Sequence, residues 1–396
     1  MKEGWEYKKL GEVTTKISDG SHNPPHGIEY SEYPMLSSKN IFFDKYDYES
    51  PRYLSKEDFV IENKRTNISD GDVLLTIVGT VGRACCVKAP FTPFTLQRSV
   101  AVLKPKQEAI ASRFLMYSLH SLSDLWEAEA KGVAQKGVYL KQVADVQIPI
   151  PSIEEQRQIV SELDLLSSVI EKQEAQLEEL DKLAQSIFNE MFGDPVTNEK
   201  GWLCKKLKSI AIKIGSGATP RGGNQSYKNE GISLIRSMNV HNNEFVYDDL
   251  AFIDDEQAAQ LNNVKVESKD VLLNITGASV ARCCIVPDGI LPARVNQHVC
   301  IIRPIKELVD NVYLNRFFTS NEEQSLLLSL SRSNAATREA LPKNLLENCI
   351  IPLPPLTLQQ EFAAKVETIE GMKEKVRQAL KEAETLFNSR MDYYFN

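Results

Sequence analysis

The sequence predicts an α+β fold made by tandem duplication: two strand-rich domains, each followed by a long helix, the two helices forming an antiparallel coiled coil. The first observation behind this is internal repetition. Gly4-Trp5, Lys8-Lys9-Leu10, Lys16-Ile17 and Gly20 return as Gly201-Trp202, Lys205-Lys206-Leu207, Lys213-Ile214 and Gly217, always 197 positions later. Asp72-Val73-Leu74-Leu75 returns as Asp270-Val271-Leu272-Leu273, and Cys85-Cys86 as Cys283-Cys284, 198 positions later. Ile148-Pro149-Ile150-Pro151 is echoed by Ile351-Pro352-Leu353-Pro354. So long a period is not that of a stacked repeat unit; it means two whole domains. The second observation is a heptad seam behind each Pro-rich joint. The third is length, since 396 residues suffice for two or three domains with separate cores.

Residues 1–150 make the first domain. Trp5 is expected to anchor its core. Ser69-Asp70-Gly71 has turn chemistry and precedes Val73–Val78, a short apolar run expected to be a buried strand. Val100–Leu103 reads as a second strand, ending at Pro105, and Ser112 as the N-cap of a helix over 112–121. Residues 151–193 are the first long helix, entered just after Pro151. Its apolar positions are Ile159, Leu163, Leu166, Ile170, Leu177, Leu180, Ala184, Ile187 and Met191, in steps of four and three broken only by the polar Gln173. Gly193-Asp194-Pro195 ends it.

Residues 194–355 repeat the first domain, with Trp202, strands Val271–Ile275 and Val299–Ile302, and Asp310 capping a helix over 310–319. Residues 356–396 form the second long helix, with a seam of Phe362, Val366, Ile369, Lys373, Val376, Leu380, Ala383, Phe387 and Arg390. At ~1.5 Å per residue such a helix is a rod of roughly 60 Å. The first helix delivers the chain to the second domain and the second helix leaves it, so full-length pairing must be antiparallel, with one domain at each end.

Charge is localised. Residues 151–195 carry three basic and eleven acidic side chains, whereas the globular segments are close to neutral. The acidic total therefore leaves room for a local basic face on nucleic acid, while arguing against indiscriminate coating of DNA. The acidic outside of the first helix suits a protein partner. Seven cysteines, an odd number with two adjacent pairs, do not make a disulfide framework. Neighbours on a strand point to opposite faces, so the pairs are expected to be buried thiols and not zinc ligands. The opening residues do not read as a signal peptide, and no apolar run approaches ~20 residues. The expectation is a cytoplasmic protein without a membrane span.

Catalytic motifs are missing. Gly132 and Gly137 have the separation of a phosphate-binding loop, but Val138 follows where lysine is required. Asn23-Pro24-Pro25-His26 approaches the Asn/Asp-Pro-Pro-aromatic motif of amino-methyltransferases, yet histidine replaces the aromatic and the second copy reads Ala218-Thr219-Pro220-Arg221. The five histidines show no metal spacing. The chain is expected to be no enzyme, to need no cofactor and to hold no metal.

What remains are polar loops at equivalent places in both copies. They contain Ser21 and His22 against Thr219, Arg221 and Asn224; Ser37, Lys39 and Asn40 against Arg236 and Asn239; Arg83 against Arg282; Gln97 and Arg98 against Gln297 and His298; and Lys136 against Arg332 and Asn334. Arginine and lysine read guanine, asparagine and glutamine read adenine, and hydroxyls and cations hold phosphates. One such residue in a loop usually caps a turn. The set, varied between copies, reads as a DNA-binding surface.

The Gly-Trp…Leu starts, Asp19-Gly20-Ser21-His22 and Gly215-Ser216-Gly217-Ala218-Thr219-Pro220, the Asp-Val-Leu-Leu…Gly runs, Ile148-Pro149-Ile150-Pro151-Ser152-Ile153-Glu154-Glu155-Gln156 and Met191-Phe192-Gly193-Asp194-Pro195 together resemble the specificity subunit of type I restriction–modification systems. The likeness spans both copies. It implies that 1–150 and 194–355 are target recognition domains, each reading one half of a split double-stranded DNA target. It also implies that 151–193 and 356–396 set the spacer and dock two methyltransferase subunits. Restriction subunits join to complete the nuclease, and catalysis belongs to these partners. Two departures stand out: Leu356-Thr357-Leu358-Gln359-Gln360 replaces Glu154-Glu155-Gln156-Arg157, and Arg83 aligns with Ala281. Two readings compete: an N6-adenine methyltransferase with an atypical motif, and a structural coiled-coil adaptor whose globular ends bind proteins.

Overall fold

The computed structural model describes residues 4–130, 137–333 and 339–395. The chain divides into two compact units, Met1–Glu174 with Gln378–Asn396, and Ala175–Arg377.

In the first unit a four-stranded antiparallel sheet is built from Thr14–Asp19 (β1), Val73–Thr76 (β2), Ala84–Cys86 (β3) and Val100–Pro105 (β4), in the order β1-β4-β2-β3. In the second unit Ala211–Ser216 (β5), Val271–Asn274 (β6), Cys283–Ile285 (β7) and Val299–Pro304 (β8) repeat it in the order β5-β8-β6-β7. Even the register slip is repeated, between Thr14 and Lys16 and between Ala211 and Lys213. Each unit adds a second sheet of shorter strands, three-stranded in the first and four-stranded in the second.

Both faces of the central strands are covered, which is why they are continuous apolar runs and not alternating ones. Val73, Leu75, Cys86 and Leu103 belong to a core shared with the helix Ser112–Ser121, while Leu74, Cys85, Val100 and Val102 belong to another under the smaller sheet. Cys283 and Cys284 likewise divide between two cores. All seven cysteines are free thiols, and burial pushes Cys86 and Cys284 up to about 12. The adjacent pairs are thus packing residues on opposite faces of a strand.

Of the two helix caps expected from the sequence, one forms. Asp310 caps Asn311–Thr319, its carboxylate accepting from Val312 N at 2.8 Å. Ser112 does not cap its helix: the N-cap is Ala111, and the Ser112 hydroxyl donates to the Gly71 carbonyl at 2.6 Å. A nearby turn competes for that hydroxyl and wins.

The long helices are Ile153–Phe192 and Leu356–Phe395. In each unit, parts of both pack together in opposite directions. In the first, Glu162 accepts from Arg390 Nη2 at 2.9 Å and from Tyr394 Oη at 2.5 Å, while Phe387, Met391 and Phe395 enter the core holding Ile159 and Leu163. In the second, Lys373 pairs with Asp181 at 2.8 Å, and Phe188 and Phe192 meet Phe362 edge to face. Val366, Ile369 and Val376 are buried, whereas Leu166, Ile170, Leu177, Leu180 and Leu380 are half-buried.

The seam departs from expectation where the helices meet the globular cores. Phe188 and Phe192 occupy the buried positions in place of Ile187 and Met191, which are only partly covered. Met391 and Phe395 do so in place of Arg390, whose side chain is 31% exposed and pairs with Glu162. The step becomes four because a helix docking on a domain follows the 3.6-residue turn, with its wider stripe, and not the 3.5 repeat of a helix pair. The seam cation Lys373 is buried, held by Asp181 and Glu370.

The two helix starts share a device. Gln156 is fully buried; its amide donates to the carbonyls of Pro151 and Ala109, both at 3.0 Å, and its carbonyl accepts from Ala111 N at 2.9 Å. Gln359 does the same with Pro354, Leu308 and Asp310 N. The departure at Leu356–Gln360 is therefore smaller than the sequence alone suggests, since Gln359 stands where Gln156 does. No helix among the described residues is long and apolar enough to cross a membrane.

Candidate nucleic-acid interface

In each unit three of the polar loops lie at one end of the central sheet, where β1 and β2 finish and β4 begins in the first unit. Gly20 brings two of them together. A Cβ on Gly20 would stand 2.0 Å from the Leu96 carbonyl oxygen, and one on Gly217 1.7 Å from that of Val295. Only glycine permits this approach, which accounts for its recurrence in both copies.

Around Gly20, Ser21 bridges Gln97, the Ser38 amide donates to the Ser99 hydroxyl at 3.0 Å, and Ile77 N donates to the Ser99 carbonyl at 2.9 Å. Around Gly217, its amide donates to Asn296 O at 3.0 Å, Asn296 N donates to Ile235 O, and Asn274 donates to Ser237 O at 2.8 Å. The loops at 19–23, 37–40, 79–83 and 97–99 thus form one cluster in the first unit. Their counterparts form a matching cluster in the second.

Within these clusters the candidates separate. His22, Lys39 and Arg98 are exposed, as are Arg221, Gln297 and Arg332. Ser37, Arg83, Gln97, Thr219, Arg236, Arg282 and His298 are half-buried. Arg83 lies over the Phe42 ring at 5.4 Å and Arg236 over Tyr227 at 5.6 Å, contacts that stiffen long side chains. Thr219 donates to the Gln297 side-chain oxygen, His298 Nδ1 meets the Thr276 hydroxyl at 2.5 Å, and Arg332 meets Glu339 at 3.0 Å.

Three candidates are corrected. Asn40 is 3% exposed and its amide donates to Asp47 and to the Glu49 carbonyl; Asn239 is fully buried and donates to Val246 and Asp248. Both are turn-builders with no side-chain surface left for a base, a use of asparagine commoner than recognition. Ser21 is 6% exposed, turned into the protein. Lys136 and Asn334 lie outside the described residues, as does the side chain of Asn224.

One pairing also changes. Arg83 N donates to Thr76 Oγ1, and the Arg83 carbonyl accepts from Thr76 N at 2.9 Å; the Arg282 carbonyl accepts equivalently from Asn274 N. Arg282 therefore matches Arg83, and Ala281 takes the left-handed place of Gly82, with φ of 69° against 95°. The second loop is one residue longer. Sequence reading also passed over Arg65, one of two adjacent cations ending a surface helix, with no repeat partner of its own type. It sits beside Asp19 and His22.

Among the described residues no group of three or more His, Cys, Asp or Glu side chains could hold a metal ion.

Comparisons agree with the duplicated architecture. The chain is 23% identical over 327 residues to the type I restriction enzyme EcoBI specificity subunit of Escherichia coli, covering 75% of this chain and 68% of that one. It is 22% identical over 412 residues to a putative type I restriction enzyme specificity subunit, MjaX, of Methanocaldococcus jannaschii, covering 96% and 90%. The fold resembles the crystal structure of the type I restriction–modification S subunit from M. genitalium, with a TM-score of 0.59 at 14% identity over 99% of this chain and 96% of that one. Residues 2–182 and 199–383 each match the type I restriction modification DNA specificity domain. With two copies of that domain over most of its length, the chain belongs to the specificity-subunit family of type I restriction–modification systems.

Proposed function

We propose that the chain gives a type I restriction–modification complex its sequence specificity, each domain reading one half of a bipartite DNA target. The observation that carries this is the matched pair of loop clusters. The same end of the sheet, closed by the same obligatory glycine, presents different polar side chains in each copy. A shared scaffold with divergent tips is what reading two different short sequences requires, because base identity is read by side chains while position is held by backbone.

On this reading residues 1–150 and 194–355 are the recognition domains. Residues 151–193 and 356–396 act as a coiled coil that sets the spacer and docks methyltransferase subunits. Methyl transfer to adenine, translocation and cleavage reside in partner subunits in the cytoplasm. The relatives are named as specificity subunits, which supports a non-catalytic role. The acidic stretch 151–195 repels DNA and so suits a protein-facing surface.

The test is methylation mapping by long-read sequencing in cells with and without the chain, keeping an active methyltransferase partner. Loss of methylation at one split motif, two short half-sites around a fixed number of unspecified bases, is the expected result. An unchanged methylome favours an adaptor with protein-binding ends.

A further inference from the structure

We infer that Arg65 is a base-reading residue of the first domain, that its target is guanine, and that Asp19, itself oriented by His22, holds its guanidinium in place. This rests on the first domain being a DNA-reading domain.

Arg65 lies in the last turn of the helix Lys56–Thr66. Its Nε donates to the Asp19 carbonyl at 2.9 Å and its Nη2 to the Asp19 carboxylate. The Asp19 side chain is only 8% exposed, and its second oxygen meets His22 Nε2 at 2.6 Å. His22 Nε2 also stands 3.3 Å from Arg65 Nη2. The Nε and Nη2 edge of the guanidinium is thus pinned to Asp19, through its main-chain carbonyl and its buried carboxylate. The Nη1 end has no hydrogen-bond partner among the described residues, and the side chain remains 49% exposed. Asp19, His22, Arg65 and Arg98 line a cavity of about 450 Å³, with Tyr139 on its rim.

An arginine in this state suits a base better than a phosphate. The adjoining carboxylate cancels most of its charge, which weakens attraction to an anion. Its planar donor fork is meanwhile fixed, and that geometry matches the O6 and N7 acceptors of guanine. A buttressing acid would orient the fork for a phosphate too, but at the expense of the net charge that draws an anion.

The second domain supports the assignment by contrast. Lys16 Nζ donates to the Arg65 carbonyl and Lys213 Nζ to the Asn263 carbonyl, both at 2.5 Å, so Asn263 occupies the Arg65 position. Counting from the paired glycines, Ser216 and Thr219 stand for Asp19 and His22. Gln297 stands for Arg98. The charged cluster has become wholly neutral, with the amides that suit adenine. The two sites have the same position and different base chemistry.

The experiment uses the full-length chain with its methyltransferase partner, selecting bound duplexes from a randomised pool for wild type and Arg65→Lys. Lysine keeps the charge beside Asp19 but lacks the fork. Expected is a guanine in the half-site that domain swapping assigns to residues 1–150. Arg65→Lys should lower preference for it roughly five- to a hundredfold and leave the other half-site unchanged. Replacing that guanine with 7-deazaguanine should weaken wild-type binding comparably, with no protein variant involved.

An unaltered base preference in Arg65→Lys, uniform weakening over all sequences, or indifference to 7-deazaguanine at every guanine of that half-site overturns the assignment alone. A wild-type complex with no sequence preference sinks the DNA-reading of the domain and this inference with it.

Discussion

Single residues in this protein are constrained by what lies across the fold from them. Gly20 has negative φ and needs no special backbone freedom; it is glycine because the Leu96 carbonyl occupies the space of a Cβ. Gly20→Ala should lower stability by about 2 kcal/mol or more through forced backbone movement, and should shift His22, two residues on; chemical denaturation checks the first effect. Glu323 is constrained differently. It is 3% exposed, its carboxyl meets the Cys349 thiol at 3.4 Å, and burial pushes its pKa up from 4.5 to about 7. Between these values the unfolded chain releases the proton while the folded one keeps it. Its contribution therefore becomes increasingly destabilising as pH rises from about 4.5 to 7. Glu323→Gln removes that loss, so its unfolding temperature should gain on wild type between pH 5 and pH 8; a constant difference across that range would show that the group does not titrate.

At the scale of elements, buried polar groups decide where the long helices begin and meet. Gln156 and Gln359 each tie the first turn of a helix to the loop before a short domain helix. Neither was identifiable beforehand as more than a glutamine in a polar helix start, because a buried amide and an exposed one look alike in sequence. Gln156→Ala strands three backbone groups and should cost on the order of 1–3 kcal/mol, measured by urea unfolding; an effect near zero would mean that water replaces the amide freely. Arg316 is 3% exposed, faces Glu370 at 3.3 Å, and has its pKa lowered by burial. Glu370→Ala leaves that cation nearly unpaired and should cost about 3–5 kcal/mol, whereas Lys373→Met strips a cation from Asp181 and Glu370, whose carboxylates stay solvated, and should cost less, ~1 kcal/mol, in the same assay. The strands were far easier to read. Val73–Thr76 and Val271–Asn274 are apolar because both faces are covered, and that signal is local.

For the whole molecule, the proposed spacer role ties a DNA distance to a helix length. Half-sites on one face of B-DNA lie about one turn apart, ~34–36 Å, within reach of a rod of roughly 60 Å. Inserting four residues near Gln176 adds about 6 Å of helix. It should lengthen the unspecified spacer while both half-sites keep their sequences, as read by methylation mapping. A changed half-site with an unchanged spacer would defeat the ruler account.

By itself the sequence determined the duplication, the positions of the central strands, the extent of the long helices and the family. Each of these is written in local periodicity or in the chain's likeness to itself. Only the tertiary structure decided which polar residues do which work. Asn40 and Asn239 close turns, Phe188 and Phe192 displace Ile187 and Met191 from the buried stripe, and Arg282 and not Ala281 matches Arg83. Arg65 acquires its setting from Asp19, 46 residues earlier in the chain. The physical reason is common to all of them. A side chain's role depends on whether its polar atoms are consumed by neighbours, and those neighbours come from distant segments that no local pattern connects.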